Sequence, residues 1–191
     1  MYDGRTYDNS VTGGELSNTL AGLLVEKRSH IVSRWTDLIF DTYPPEAGKF
    51  MRSKKNQIAN PVGATIAEGV ERLFGWLVEG DQSDLKDLCR FLDNIVRIRA
   101  VQEFSASHSI GFVFLLKTAI RSVLDTEIRK HQLFEELSEF DRRIDDLALL
   151  AFDNYSQCRE KLHELRVLEV RNRTSRLLER ACQKYGMPSE W

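Results

Sequence analysis

The chain has 191 residues, 42% hydrophobic and 29% charged, which is typical of a globular domain and excludes wholesale disorder. With 27 basic and 29 acidic residues its net charge is −2, which argues against a general nucleic-acid binder. No apolar run reaches the roughly 20 residues of a membrane span, and the first residues lack the apolar core of a signal peptide. The three cysteines form no C-x-x-C pair, so we expect free thiols in a cytoplasmic protein.

The placement of proline and glycine predicts an all-α fold. Residues 62–187 contain no proline, and Gly111 is the only glycine in residues 81–185. Such a stretch, rich in Leu, Glu, Arg and Lys, favours helices over strands. No Asn-Gly or Asp-Gly pair lies between alternating apolar runs, so hairpins are not predicted.

The spacing of apolar residues predicts five helices in chain order. In the first, Lys27 interrupts the apolar stripe, which leaves room for a break near Ser29. The second opens with Asn60 as N-cap and Pro61 at the first helical position. The fourth is apolar nearly all round, so it should lie in the middle of a bundle. The predicted helices cover residues 15–42, residues 60–80, residues 84–101, a segment beginning near Ser105 or Ser107, and residues 133–184.

The last predicted helix has an apolar seam at near-heptad spacing from Leu133 to Leu165. If continuous, it is about 78 Å long, more than a globule of roughly 130 residues can cover. It must protrude, fold back or pair with another chain. Residues 127–153 carry four basic and eight acidic side chains, whereas residues 159–184 carry eight basic and four acidic ones. We therefore expect a two-fold interface along this helix and a basic end that contacts an acidic protein partner.

Charged residues on the apolar stripes are the main anomaly. Arg99 continues the inward face of the third helix, Lys117 lies on the fourth, and Asp141 flanks the seam of the fifth. An unpaired charge inside a protein costs several kcal/mol, so these side chains should form ion pairs or line a pocket. We predict that Arg99 is buried and paired with Asp141 or Asp145. An anion or ligand pocket, or charged ends that reach the surface, remain alternatives.

The sequence contains no motif that predicts catalysis. It has no glycine-rich phosphate loop and no G-x-S-x-G elbow. Glu160 and His163 match one half of a di-iron E-x-x-H pattern, but no second copy exists, so no metal site is expected. His108 is the best available axial ligand for a haem, although a helix-start residue that assists capping is the simpler interpretation.

Several separated motifs occur in an order that resembles a known family, the N-terminal sensor domains of RsbR/RsbRD-type proteins. These proteins are the RsbT co-antagonists of bacterial stress signalling. The family-motif residues that we single out are Trp35, Asn60, Pro61 and Gln102. The matching stretches are residues 35–44, residues 60–63, residues 95–102, residues 111–117 and segments within residues 143–160.

The resemblance implies a globin-like helical bundle that lacks haem and serves as a dimeric input, joined by a long helix to a STAS output domain. We expect no STAS domain here, because one of about 100 residues would not fit beside the predicted helices in 191 residues. We predict a flexible leader at residues 1–14, a sensor domain at 15–165 and a protruding or back-folded stub at 166–191. The expected function is a non-enzymatic, homodimeric regulatory module whose C-terminal helix contacts a separate protein. The alternative is a sensor or carrier for haem or a small apolar ligand.

Overall fold

The structure is a computed structural model that describes residues 19–53, 59–79, 85–101 and 104–185. Within these ranges the chain forms seven helices and no strand, which confirms the predicted all-α class. The helices are α1 (Leu20–Glu26), α2 (Arg28–Asp41), α3 (Pro45–Arg52), α4 (Pro61–Glu79), α5 (Leu85–Val101), α6 (Ala106–His131) and α7 (Phe134–Tyr185).

The first predicted helix is divided into α1 and α2 at Lys27, the residue that interrupts the apolar stripe. Thr19 caps α1, because its hydroxyl accepts a hydrogen bond from the Gly22 amide at 3.2 Å. The Leu20 amide donates to a Glu136 carboxylate oxygen at 2.7 Å, which ties the start of α1 to α7.

Asn60 joins the end of α3 to the start of α4. Its side-chain oxygen accepts from the Gly63 amide at 3.0 Å, and its side-chain nitrogen donates to the Met51 carbonyl at 2.8 Å. A Cβ at position 63 would lie 2.7 Å from the Met51 carbonyl oxygen, so only glycine fits there. The predicted cap at Asn60 and the predicted helix start at Pro61 are both confirmed.

The apolar α6 lies at the centre of the bundle, as its sequence predicts, and contacts α2, α5 and α7. On the other side, α4 packs against α5, and Ile95 approaches the backbone of α4 at Gly69. No helix in the described part of the chain has both the length and the apolar character needed to cross a bilayer. The apolar α6 side chains that are fully buried are Phe112, Val113, Leu116, Ala119, Ile120 and Leu124.

The long α7 runs antiparallel to α6 and is uninterrupted over 52 residues. Its seam faces the core of its own chain from Leu133 to Cys158, whereas Leu162 is half-buried and Leu165 is 62% exposed. Residues 163–180 are all exposed. The distal part of α7, defined here as residues 163–185, therefore extends beyond the packed helices as a continuation of the same helix.

Replacing Asn60 by alanine should lower the free energy of unfolding by about 1–3 kcal/mol. The substitution removes the α4 cap and leaves carbonyls at the end of α3 without their donor. Urea unfolding followed by circular dichroism measures the change. Glu68→Ala, on the exposed face of α4, is the matched control and should stay within about 0.5 kcal/mol of wild type. Equal effects of the two variants would contradict the role of Asn60.

Candidate functional site around Arg99

Arg99 is the most unusual residue of the core. It lies in the last turn of α5, and its side chain is completely buried. It follows Leu92, Ile95 and Val96 on the inward face of the helix, which is why the sequence pattern predicts its burial. The prediction that Arg99 is buried is confirmed.

Two hydrogen bonds hold the guanidinium in place. Nη2 donates to the Thr42 hydroxyl at 3.1 Å and to the His108 carbonyl at 2.8 Å, so α5 is tied to the end of α2 and to the first turns of α6. The remaining donors, on Nε and Nη1, have no hydrogen-bond partner among the described residues. The same holds for the buried hydroxyls of Tyr43 and Ser109.

Three aromatic rings surround the positive charge. The guanidinium carbon lies 4.9 Å from the centre of the Phe104 ring, 5.1 Å from that of Tyr43 and 5.9 Å from that of Phe112. Tyr43 and Phe104 also pack edge to face, with ring centres 5.3 Å apart. Cation–π attraction offsets part of the desolvation cost, but it supplies no negative charge.

The electrostatics of the site favour an anion. Burial lowers the pKa of the Arg99 guanidinium, with Tyr43 acting in the opposite direction. The group still stays charged at neutral pH, because arginine does not lose its proton in proteins. Burial also raises the pKa of the Tyr43 phenol, against an opposing effect of Arg99, so the hydroxyl stays neutral. The site is thus a dry positive charge beside a neutral hydroxyl donor.

Two further hydrogen bonds connect this cluster to the rest of the bundle. The Trp35 indole nitrogen donates to the Phe112 carbonyl at 2.7 Å, and the two rings stack. The Tyr155 hydroxyl donates to the Phe104 carbonyl at 3.1 Å. Residues at the end of α2, in α5 and at the start of α6 therefore meet around one guanidinium, and Tyr155 links α7 to them through Phe104. We call the following residues the Arg99 cluster: Thr42, Tyr43, Arg99, Phe104, His108, Ser109 and Phe112.

The predicted pairing of Arg99 with Asp141 or Asp145 is wrong. Asp145 accepts from the Lys117 ammonium at 2.6 Å, and Asp141 pairs with Arg121. Both pairs bridge α6 and α7 at the outer edge of their contact, where the Asp145 side chain is 51% exposed. Both acids flank the apolar seam that faces the core, so they meet α6 at the edge of the contact and do not reach Arg99. Lys117, Asp141 and Asp145 are thus brought together, apart from Arg99.

The other predicted residues have structural positions. His108 is exposed at the start of α6, where its ring lies 3.2 Å from the Ser105 hydroxyl that caps the helix. A haem ligand needs an apolar pocket, and His108 is not in one. Trp35 is fully buried, and Asn60 and Pro61 start α4. Gln102 lies outside the described residues.

Sequence reasoning missed Tyr43, Phe104, Phe112 and Ser109 as neighbours of Arg99. Tyr43 precedes two prolines and is interpreted from sequence only as a helix end. Phe112 belongs to an apolar run whose burial is expected but whose partner is not specified. The one sequence signal for this cluster is Arg99 itself. A buried arginine requires aromatic or polar neighbours, which other segments of the chain must provide.

Residues 29–170 match the family described as the RsbT co-antagonist protein rsbRD N-terminal domain. A curated relative from Archaeoglobus fulgidus, described as an uncharacterized protein, is 28% identical over 143 residues, which cover 74% of this chain and 83% of the relative. No solved structure matches the chain significantly. The matched family is a regulatory sensor domain and is not a known family of enzymes.

Because the Arg99 charge is poorly compensated, removing it should cost little if its volume is kept. We expect the free energy of unfolding of Arg99→Met to lie within about 1 kcal/mol of the wild-type value, or above it. Arg99→Ala should lose about 3–5 kcal/mol, because it leaves a cavity. Both are measured by urea unfolding in buffer without carboxylates. Arg97→Met is the control, since Arg97 is 61% exposed on the same helix. A methionine variant as unstable as the alanine variant would show that the charge itself stabilises the fold.

Proposed function

Because this chain belongs to the family of the RsbT co-antagonist protein rsbRD N-terminal domain, we propose that it is a regulatory sensor module that acts as a homodimer and signals to a protein partner. The observation that carries the proposal is the outer side of α7. It bears exposed apolar side chains from the packed body to the distal part, and nothing within the described chain covers them. Such unpartnered rows mark interaction sites.

The first surface is an outer patch formed by Phe114 of α6 and by Leu149 and Phe152 of α7. These side chains are 45%, 66% and 49% exposed. The ion pairs Lys117–Asp145 and Arg121–Asp141 fix the antiparallel register of the two helices. One turn further along, this register brings Phe114 level with Leu149.

A second copy of this chain is the occupant that suits the outer patch. The Lys117–Asp145 and Arg121–Asp141 pairs neutralise four of the charges next to the patch within the chain, which limits like-charge repulsion between two copies. A two-fold axis through the patch would place α6 and α7 of both copies side by side, as in a four-helix bundle. This agrees with the dimeric input that the family resemblance implies.

The second surface is the distal part of α7. Val167, Val170 and Leu177 are exposed and recur at spacings of three and seven, so they share one face. Val167 and Val170 follow Leu149 and Phe152 by 18 residues each, which is five turns. The stripe therefore continues on the same side of α7 as the outer patch.

The charge of the distal part favours an acidic partner. Residues 159–184 carry eight basic and four acidic side chains. Arg171, Arg173, Arg176 and Arg180 are all exposed around the apolar stripe. Two such segments repel each other, whereas an amphipathic helix flanked by acidic residues complements both the stripe and the arginines. We assign the distal part to an acidic helical partner.

Sedimentation velocity at tens of micromolar should show the wild-type chain as a dimer. The double variant Leu149→Glu, Phe152→Glu should sediment as a folded monomer, because it buries two charges in the two-fold contact. Phe134→Glu is the matched control, since Phe134 is also apolar and 56% exposed on α7 but lies outside the patch. A monomeric wild type, or a double variant that dimerises as well as the control, would reject the proposed interface.

The distal part should bind a synthetic helical peptide with leucine at a and d positions and glutamate at e and g. The lysine counterpart should bind at least about tenfold more weakly, and the preference should shrink as salt screens the charges. Fluorescence anisotropy measures both affinities. Neutralising four distal arginines should abolish the preference for the glutamate peptide, whereas neutralising four basic residues elsewhere should not. Equal binding of the two peptides to the wild-type chain would refute the acidic partner. The variants replace Arg171, Arg173, Arg176 and Arg180, or as control Arg90, Arg97, Arg129 and Lys130, by glutamine.

A further inference from the structure

The Arg99 cluster contains more hydrogen-bond donors than acceptors. Nε and Nη1 of Arg99 and the hydroxyls of Tyr43 and Ser109 are buried without a partner among the described residues. Buried polar groups in folded proteins nearly always have a partner, so unpaired ones call for an explanation. Hydroxyls can turn to accept or donate, but the guanidinium can only donate. The missing group must therefore accept hydrogen bonds.

The missing group must also carry negative charge. The described residues place no carboxylate on Arg99, and the acids once expected there pair with Lys117 and Arg121 instead. Ser109 and the carbonyl of His108 belong to the first turn of α6, whose N-terminal end adds positive potential to the site. A single buried positive charge is balanced by a single negative one.

Open space lies beside Gly111, one turn from the carbonyl that holds the guanidinium. Nη2 of Arg99 bonds to the carbonyl of His108, which in a helix points along the axis towards residues 111 and 112. A Cβ at Gly111 would meet no atom within 4 Å. We take this open side of the half-buried Gly111 as the route by which a small ligand would reach Arg99.

We propose that the Arg99 cluster is a binding site for a small monocarboxylate, whose oxygens accept hydrogen bonds from Arg99 and from the Tyr43 hydroxyl. The aromatic walls formed by Phe104 and Phe112 suit a short apolar tail on the acid. A doubly charged, strongly hydrated ion such as phosphate suits one guanidinium poorly, because its second charge would be buried without compensation. The claim that this ligand is the signal of the module rests on the proposed regulatory function. The claim that the ligand binds at the Arg99 cluster does not.

Thermal unfolding of the full chain, refolded from guanidinium chloride to remove any bound acid, tests the site. The probes are sodium formate, acetate, butyrate and hexanoate, with sodium chloride and phosphate at equal ionic strength. At a concentration about 100 times the dissociation constant, a monocarboxylate should raise the Tm by about 5–10 °C. Calorimetric titration should give one site per chain.

Two arginines on the same helix provide matched variants. Arg99→Met should abolish the Tm shift, whereas Arg97→Met, which removes an exposed arginine, should leave it unchanged. Tyr43→Phe should weaken binding several-fold without abolishing it, because one of two donors is lost. Glu103 follows Arg99 by four residues in the sequence and lies outside the described residues. If a bound acid rather than Glu103 balances the charge of Arg99, Glu103→Gln should leave binding unchanged or strengthen it.

Several results would overturn the site. These are no response to any monocarboxylate, an equal response in Arg99→Met, or a larger response to chloride or phosphate than to the carboxylates. The dimer and peptide experiments described above are repeated on the same refolded protein without added acid, so that the two proposals are tested separately. If those succeed while the carboxylates fail, the ligand is wrong and the regulatory function stands. If carboxylates bind while dimer and peptide contacts fail, the site stands without that function.

Discussion

One buried positive charge organises the interior of this protein. The Arg99 guanidinium sits where the end of α2, the end of α5 and the start of α6 meet, and hydrogen bonds fix it to the first and the last of these. Because the charge cannot reach water, the chain surrounds it with three aromatic rings. Trp35 and Tyr155 then anchor the segments that carry two of those rings. The positions of α2, α5 and α6 therefore depend on how this one charge is surrounded.

Most of the fold could be predicted from the sequence, because apolar periodicity and capping residues act locally. Asn60 and Pro61 define the start of α4, and Lys27 marks the division of the first helix. The burial of Arg99 also follows from periodicity. Its surroundings do not, because Tyr43, Phe104 and Phe112 approach it through tertiary packing. The same limit explains why Asp141 and Asp145 were assigned the wrong partner: spacing places them near the seam but does not say which side they face.

Two sides of one helix have different tasks in this arrangement. The inner side of α7 closes the core up to Cys158, and the outer side keeps Leu149 and Phe152 exposed. The globin-like comparison stays a prediction, as do the boundaries at residues 15 and 165. The structure does report that burial along α7 fades between Cys158 and Leu165, within two turns. In the proposed function, stability and communication would therefore depend on separate stripes of the same 52 residues.

The uninterrupted α7 also has a mechanical consequence. Tyr155 fastens it to the segment beside Arg99, close to where its buried face ends. Beyond that point the distal part forms a rigid arm of about 34 Å at 1.5 Å per residue. A tilt of about 5° at the base of this arm would move its tip by about 3 Å, roughly the rise of two helical residues. Adjustments too small to disturb the core would thus be magnified into a displacement that the proposed partner helix would follow.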